Sequence, residues 1–243
     1  MKSKFHHFIL TMLLLFISSN MSGKVYLVSV GVADYPGYKN DVLLTAKDAA
    51  TIADVYAKNG NVSYSLLQDR KATVERTKKA MKKLFSKATN PDDVVVFFFA
   101  GHGYENGFCC YDGNISYQEV REAMSASPSR SKMIFVNACM SGGLRSRDSG
   151  IDSNRKNDDS NVMLLLSSRT TELSQESPVL RNGIFTTCLE RGLRGGADAN
   201  GNRIITAAEL FDYVHSGVVK LTKDQQHPVM WGNFDKNMTV MKW

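Results

Sequence analysis

The sequence predicts an α/β protein built on an open, mostly parallel sheet with helices on both faces. Three observations carry that prediction. Short β-rich runs alternate with amphipathic helical stretches along the 243-residue chain, the pattern of a parallel sheet covered on both sides. The run from Val94 to Ala100 is apolar at every position, which requires burial on both faces. Two runs also end in small-residue loops, one at Gly101-His102-Gly103 and one at Asn137-Ala138-Cys139, with Ser141-Gly142-Gly143 following. In open α/β sheets, ligands bind outside the carboxyl ends of strands.

Composition sets the bounds. A chain that is 43% hydrophobic and 22% charged can bury a full core without disulfides or metals. The formal net charge of +6 is mildly basic, and Lys78, Lys79, Lys82 and Lys83 are spread along a helix instead of forming one block. That pattern reads as a solvated surface, and no motif supports nucleic-acid binding. Residues 1–23 differ from the rest: Lys2 and Lys4 precede an apolar run, Phe8 to Ile17, and a small-residue exit. Together these read as a secretory signal peptide, so the mature chain is expected to be periplasmic or extracellular. The exit lacks a clean Ala-x-Ala, which leaves an uncleaved anchor as the alternative. No membrane span is expected in the mature chain. Of the cysteines, Cys109 and Cys110 read as strand residues and Cys188 as the apolar face of a helix; their spacing suits no metal motif.

The mature chain, 24–243, is expected to begin with a buried strand, Val25 to Val30, closed by Gly31. Asp34 to Tyr38 is turn chemistry. A helix spans Val42 to Asn59, with Ala49, Ile52, Ala53 and Tyr56 on one stripe and Gly60 as its stop. Val62, Tyr64 and Leu66 alternate as a half-exposed strand. Thr73 caps a helix carrying Met81, Leu84, Phe85 and Ala88. After the Val94–Ala100 strand, Phe108 to Ser116 reads as a small hairpin, and Ser116 with Glu119 as a capping box. Met133 to Ala138 is the fourth strand. The polar stretch 140–161 has no periodicity and is expected to be exposed and mobile. Val162 to Leu166 is a fifth strand, Ser167 to Arg181 a polar loop and Gly183 to Leu193 a helix. Ala207 to Leu221 is a helix with Leu210, Phe211, Val214 and Leu221 inward, and a short strand lies near Val229-Met230-Trp231.

A thiol becomes a useful nucleophile when an imidazole or electropositive surroundings convert it to thiolate. In a parallel sheet the carboxyl ends of neighbouring strands lie on one edge, so His102 and Cys139 are expected to face each other. Gly101 and Gly103 let backbone approach a substrate closely, and amides in such turns can stabilise a developing oxyanion. A phosphate- or nucleotide-binding reading fails, because no Gly-rich loop joins the first strand to a helix with the required spacing.

The runs FFFAGHG and FVNACMSGG, with SSRTTELSQE, GIFTTCLERGLRG and ADANGNRIITAAELFDYV downstream, resemble the caspase-like cysteine peptidases, specifically bacterial metacaspase-like members. The resemblance runs from Lys24 to the end with the motifs in family order. It implies a caspase-like three-layer sandwich with a six-stranded, mostly parallel sheet. It implies His102 as general base or electrophile, Cys139 as nucleophile and the Gly103 and Cys139 amides as oxyanion donors. It also divides the chain into a large-subunit-like portion, 24–139, a linker, 140–161, and a small-subunit-like portion, 162–243.

Metacaspases prefer Arg or Lys before the scissile bond and use carboxylates to bind it. One carboxylate usually lies two residues before the nucleophile, where this chain has the neutral Asn137. Another lies on the first helix, where Asp48 matches. A basic preference with one carboxylate is the expected specificity, and Asn137 leaves a neutral preference as the alternative. Many metacaspases are activated by Ca²⁺, but the stretch from Glu105 to Asp112 is too poor in carboxylates to carry that site over. Asp198 to Glu209 has the spacing of a Ca²⁺-binding loop, with Arg203 where glycine is expected and amides at two ligand positions, and reads as a turn plus helix N-terminus. No cofactor is therefore expected. Arg145, Arg147, Arg155 and Lys156 in the linker are candidate self-cleavage sites. The leading expectation is an exported cysteine endopeptidase acting on proteins or peptides. The alternative is a catalytically silent caspase-like binding or regulatory module.

Overall fold

Valine and phenylalanine occupy every position from Val94 to Phe99, and all six are buried, because this strand lies at the centre of the molecule with helices packed on both of its faces. The computed structural model describes residues 23–37, 41–104, 107–139, 161–169, 172, 174–177 and 180–243, without the side chains of Cys139, Glu176 and Ser177. The chain opens with β1 (Val25–Gly31), α1 (Thr45–Lys58), β2 (Val62–Gln68) and α2 (Val74–Phe85). The central strand is β3 (Val94–Tyr104), followed by β4 (Gly107–Cys109), β5 (Asn114–Ser116), α3 (Tyr117–Ser125) and β6 (Ser131–Cys139). Next come β7 (Val162–Leu166), β8 (Glu176–Ser177), β9 (Asn182–Gly183) and α4 (Ile184–Arg191). The chain closes with β10 (Ile204–Thr206), α5 (Ala207–Leu221), β11 (Val229–Trp231) and β12 (Thr239–Lys242).

The main sheet runs β11-β7-β6-β3-β1-β2. Every pairing along it is parallel except that of β11 with β7. This is the six-stranded, mostly parallel sheet that the family resemblance implies, and its parallel pairing is the one expected from the alternation of strands and helices. Alternate residues of each strand feed two separate cores. Leu27, Val96, Phe98, Phe135 and Leu165 pack with α1, α4 and α5. Val28, Phe97, Phe99, Ile134 and Leu164 pack with α2 and α3. Each fully buried side chain of this size stabilises the fold by about 1.5–3 kcal/mol, so the two layers hold the sheet edge rigid.

Several boundaries differ from the sequence reading, each for a physical reason. β3 continues past Ala100 to Tyr104 because β4 pairs with it there, Gly103 opposite Phe108 and Tyr104 opposite Gly107. The first helix starts at Thr45, three residues after the expected Val42. The polar stretch after β7 contains a two-residue ladder, Glu176 opposite Gly183 and Ser177 opposite Asn182, which carries no hydrophobic signature. α4 ends at Arg191 and passes into a wider turn at Gly192–Gly196, with Gly195 at φ 110°. In α5 the inward stripe is Leu210, Val214 and Val218; Phe211 is only partly buried and Leu221 is exposed. A strict four-residue step runs from Leu210 through Val214 and Val218 to the buried Thr222, which leaves Leu221 off the core face. The ribbon β10–β12 was not expected. Among the described residues, no helix is long and apolar enough to cross a membrane. Apart from Gly23 and Asn161, the expected signal peptide and the linker lie outside the described residues.

Candidate active site

The carboxyl edge of the sheet gathers the candidate residues. β3 and β6 run side by side in parallel from Val94 and Ser131 through nine register pairs, the last of which joins His102 and Cys139. Neighbouring strands lie about 4.8 Å apart, so the backbones of these two residues are adjacent although 37 positions separate them in sequence. His102 is half-buried. Its backbone N–H donates to Tyr35 Oη at 2.8 Å, and the Tyr35 and imidazole ring centroids are 4.8 Å apart. Gly103 follows directly, paired with Phe108. A cavity of about 400 Å³ opens beside His102 and Gly103, walled by Tyr35, Pro36, Cys109 and Asn114.

The peptide preceding Cys139 is held from the other side. Ser167 N–H donates to the Val136 carbonyl at 2.9 Å. The hydroxyls of Ser174 and Ser167 donate to the Ala138 carbonyl at 3.2 and 3.4 Å. The fully buried Gln226 ties this loop down, donating to Ser167 O at 2.7 Å and accepting from Gln175 N at 2.8 Å. Next to it, the His227 backbone N–H donates to Glu172 at 2.7 Å.

Asp48 and Asn137 meet on the face covered by α1 and α4. Asp48 lies on the first turn of α1 and is fully buried. Asn137 Nδ2 donates to Asp48 Oδ2 at 2.7 Å, and Gly183 N–H donates to Asp48 Oδ1 at 3.0 Å. Asn137 is 5% exposed, also reaches Thr186 Oγ1 at 3.3 Å, and its buried Oδ1 meets no hydrogen-bond donor among the described residues. The close approach needs glycine at 183, where a Cβ would lie 2.4 Å from Asn137 Nδ2.

The other thiols have a different character. Burial pushes Cys110 up to about 12 and Cys188 up to about 11, and it also raises Cys109. All three remain thiols at neutral pH and are poor nucleophiles. Among the described residues, no group of three or more His, Cys, Asp or Glu side chains is placed to hold a metal. In the Asp198–Glu209 loop, Asp198 accepts from the Asn202 and Arg203 amides at 3.1 and 3.0 Å. Glu209 Oε2 accepts from Thr206 N–H and hydroxyl in a capping box that starts α5. Those carboxylates serve a turn and a cap. Asp112 accepts from Val74 N at 2.8 Å, also a structural contact.

Arg145, Arg147, Arg155 and Lys156 lie outside the described residues. Sequence reasoning missed Tyr35, Ser167, Ser174, Gln226 and Gly183, which act through hydrogen bonds between distant segments. The only hint was compositional, in the serines of the SSRTTELSQE stretch.

Comparison with known proteins identifies the family and the fold. The model of the caspase domain family matches residues 25–239. No curated protein matches the chain. Among solved structures, a protein from Geobacter sulfurreducens superposes with a TM-score of 0.65 at 17% identity, covering 90% of this chain and 97% of its own. Caspase-1 from Spodoptera frugiperda superposes with a TM-score of 0.65 at 14% identity, covering 91% of each chain. A family match over nearly the whole sheet-and-helix domain, together with the shared fold, assigns this chain to the caspase domain family, a family of cysteine endopeptidases.

Proposed function

We propose that this protein is an exported cysteine endopeptidase that cleaves after arginine or lysine. The observation that carries the reading is the pairing of His102 with Cys139 at the carboxyl ends of adjacent parallel strands. Cys139 Sγ attacks the scissile carbonyl carbon, and the thiol proton passes to His102. The oxyanion is held by the amides of Gly103 and Cys139. His102 then protonates the leaving amine as the C–N bond breaks, leaving a thioester. Water, deprotonated by His102, attacks that thioester; the acid is released and the thiol restored.

The basic preference is supported by the charge of Asp48 and by the unmet acceptor of Asn137 beside it. A buried amide oxygen without a donor costs about 1–3 kcal/mol, and an ammonium or guanidinium group can supply that donor. Export rests on the N-terminal basic and apolar segments.

The test is a peptide-library cleavage profile on mature wild type, Cys139→Ala and Asp48→Asn, with mass-spectrometric mapping of a thiol-directed irreversible inhibitor. Expected are cleavage after Arg and Lys, no turnover in Cys139→Ala, and at least a tenfold lower kcat/KM on basic substrates in Asp48→Asn. Absence of both turnover and labelling at Cys139 would sink the enzyme reading in favour of a silent binding module. Turnover without basic preference would remove only the specificity.

A further inference from the structure

We infer that Tyr35 is a positioning residue for His102, acting in place of a sheet partner that the fold lacks at that point. This inference rests on the proposed peptidase reading for its catalytic consequence, but not for its structural one. β1 accompanies β3 only as far as the pair Gly31 and Ala100, and Val32 N–H makes the last contact, to the Ala100 carbonyl at 3.0 Å. The next residue of β3 facing that side is His102, since backbone groups two residues apart point the same way along a strand. An extended β1 would offer the Val32 carbonyl to the His102 amide. Instead the chain turns away there, and the Val32 carbonyl accepts from Thr45 Oγ1 at 2.5 Å.

Tyr35 fills the gap. Its Oη accepts from His102 N–H at 2.8 Å and donates to the Cys109 carbonyl at 2.8 Å, bridging the end of β3 to β4. Its ring, 7% exposed, lies against the imidazole with centroids 4.8 Å apart. The turn that delivers it is fixed independently. Asp69 accepts from the Ala33 and Asp34 amides at 2.8 and 3.0 Å, and Asp41 accepts from Tyr35 N–H at 3.1 Å. Gly101 is the sequence counterpart of this bridge, because a Cβ there would lie 2.5 Å from Tyr35 Oη. Burial raises the ionisation of the phenol above its ordinary range, so it stays a donor to Cys109 throughout the range in which a peptidase works. Tyr35 thus fixes both the backbone and the ring of the residue that must hand a proton to the leaving amine. A misplacement of about 1 Å in such a group can cost about a hundredfold in rate.

Two measurements on Tyr35→Phe test the inference, with a thermal melt to confirm that the variant is folded. The first is amide hydrogen exchange at His102, followed by NMR. Loss of the phenol oxygen should speed exchange at His102 at least tenfold relative to the amides of Val96 to Phe98. The second is steady-state kinetics on a peptide that wild type cleaves. Here kcat should fall about 10–100-fold with KM within about threefold of wild type, because Asp48 and Asn137, proposed to hold the substrate's basic side chain, are untouched. Gly101→Ala, which displaces the phenol without removing it, should give the same split. Wild-type His102 exchange together with wild-type kcat in Tyr35→Phe would overturn the inference. If wild type itself cleaves no peptide, the peptidase reading falls, and the exchange measurement still decides whether Tyr35 holds His102.

Discussion

Asn137 combines an observed structural contact with the substrate-binding role proposed for it. Its amide nitrogen is a donor to a fully buried carboxylate, Asp48 Oδ2, at 2.7 Å. A carboxylate there, as at the equivalent position of metacaspases, would place two like charges in hydrogen-bond range in a buried site. One of them would be driven to bind a proton, so the pair's folded-state pKa would rise above its unfolded value. The sign follows: a raised carboxyl pKa destabilises above the unfolded pKa and ceases to do so once both states are protonated. Asn137→Asp should therefore be less stable than wild type by about 2–4 kcal/mol at pH 7, with the deficit shrinking toward pH 4. Urea titrations of both proteins at pH 7, 5.5 and 4 check this, and a pH-independent deficit would contradict it. Legibility at this scale was uneven. Asp48 and Asn137 could be singled out separately, but not their contact, because a hydrogen bond across 89 positions leaves no local pattern. Gly183 was invisible as a site residue for the same reason: its amide meets Asp48 across 135 positions.

At the scale of elements, the features written in local chemistry were the readable ones. The capping box at Ser116 is formed as read: Ser116 Oγ accepts from Glu119 N–H at 3.2 Å, and Glu119 Oε2 accepts from Ser116 N–H at 2.8 Å. Thr73 likewise caps α2. β8 and β9 were unreadable because a two-residue ladder has no period, and Leu221 was misassigned because a stripe drifts over four turns. The Glu119 cap gives an acid-stability prediction. The hydrogen bond from Lys78 and the Ser116 amide hold its carboxyl down at about 2. A depressed carboxyl contributes stability above its unfolded value near 4.5 and loses it as pH falls through the folded value. Glu119 and Lys78 are both substantially exposed, so solvent screening limits the contribution to about 1 kcal/mol. Glu119→Gln should lower the melting temperature at pH 7 by a few degrees, and the difference from wild type should shrink as pH falls below about 4.5 and disappear only as it passes below about 2. Melting curves across that interval decide it; a constant offset would mean that the charge is not the cause.

For the whole molecule, the decisive fact is that the two portions proposed from the sequence share one sheet. β6, the last strand before the linker, pairs in parallel with β7, the first strand after it, from Lys132 opposite Val162 to Val136 opposite Leu166. The core beneath α1 also mixes both portions, with Phe98 and Phe135 packed against Leu165, Phe185 and Leu210. This long-range architecture was legible because it needs only the alternation of strands and helices and one fully apolar strand. The loops that brace the site were not. The shared sheet makes a specific prediction for self-processing at Arg145, Arg147, Arg155 or Lys156. A cut between β6 and β7 removes no strand pair and no buried contact among the described residues, so the two fragments should stay together. Concentrated wild-type protein should show two bands on a denaturing gel yet elute as one species at the uncut volume on size exclusion. Cys139→Ala should remain a single band, and replacing the four basic residues with Gln should block cutting while leaving turnover of small peptides within about threefold of wild type, because none of the four is among the residues proposed for catalysis or substrate binding. Fragments that separate without denaturant would contradict the shared core, and cutting that persists in Cys139→Ala would assign the cleavage to another protease.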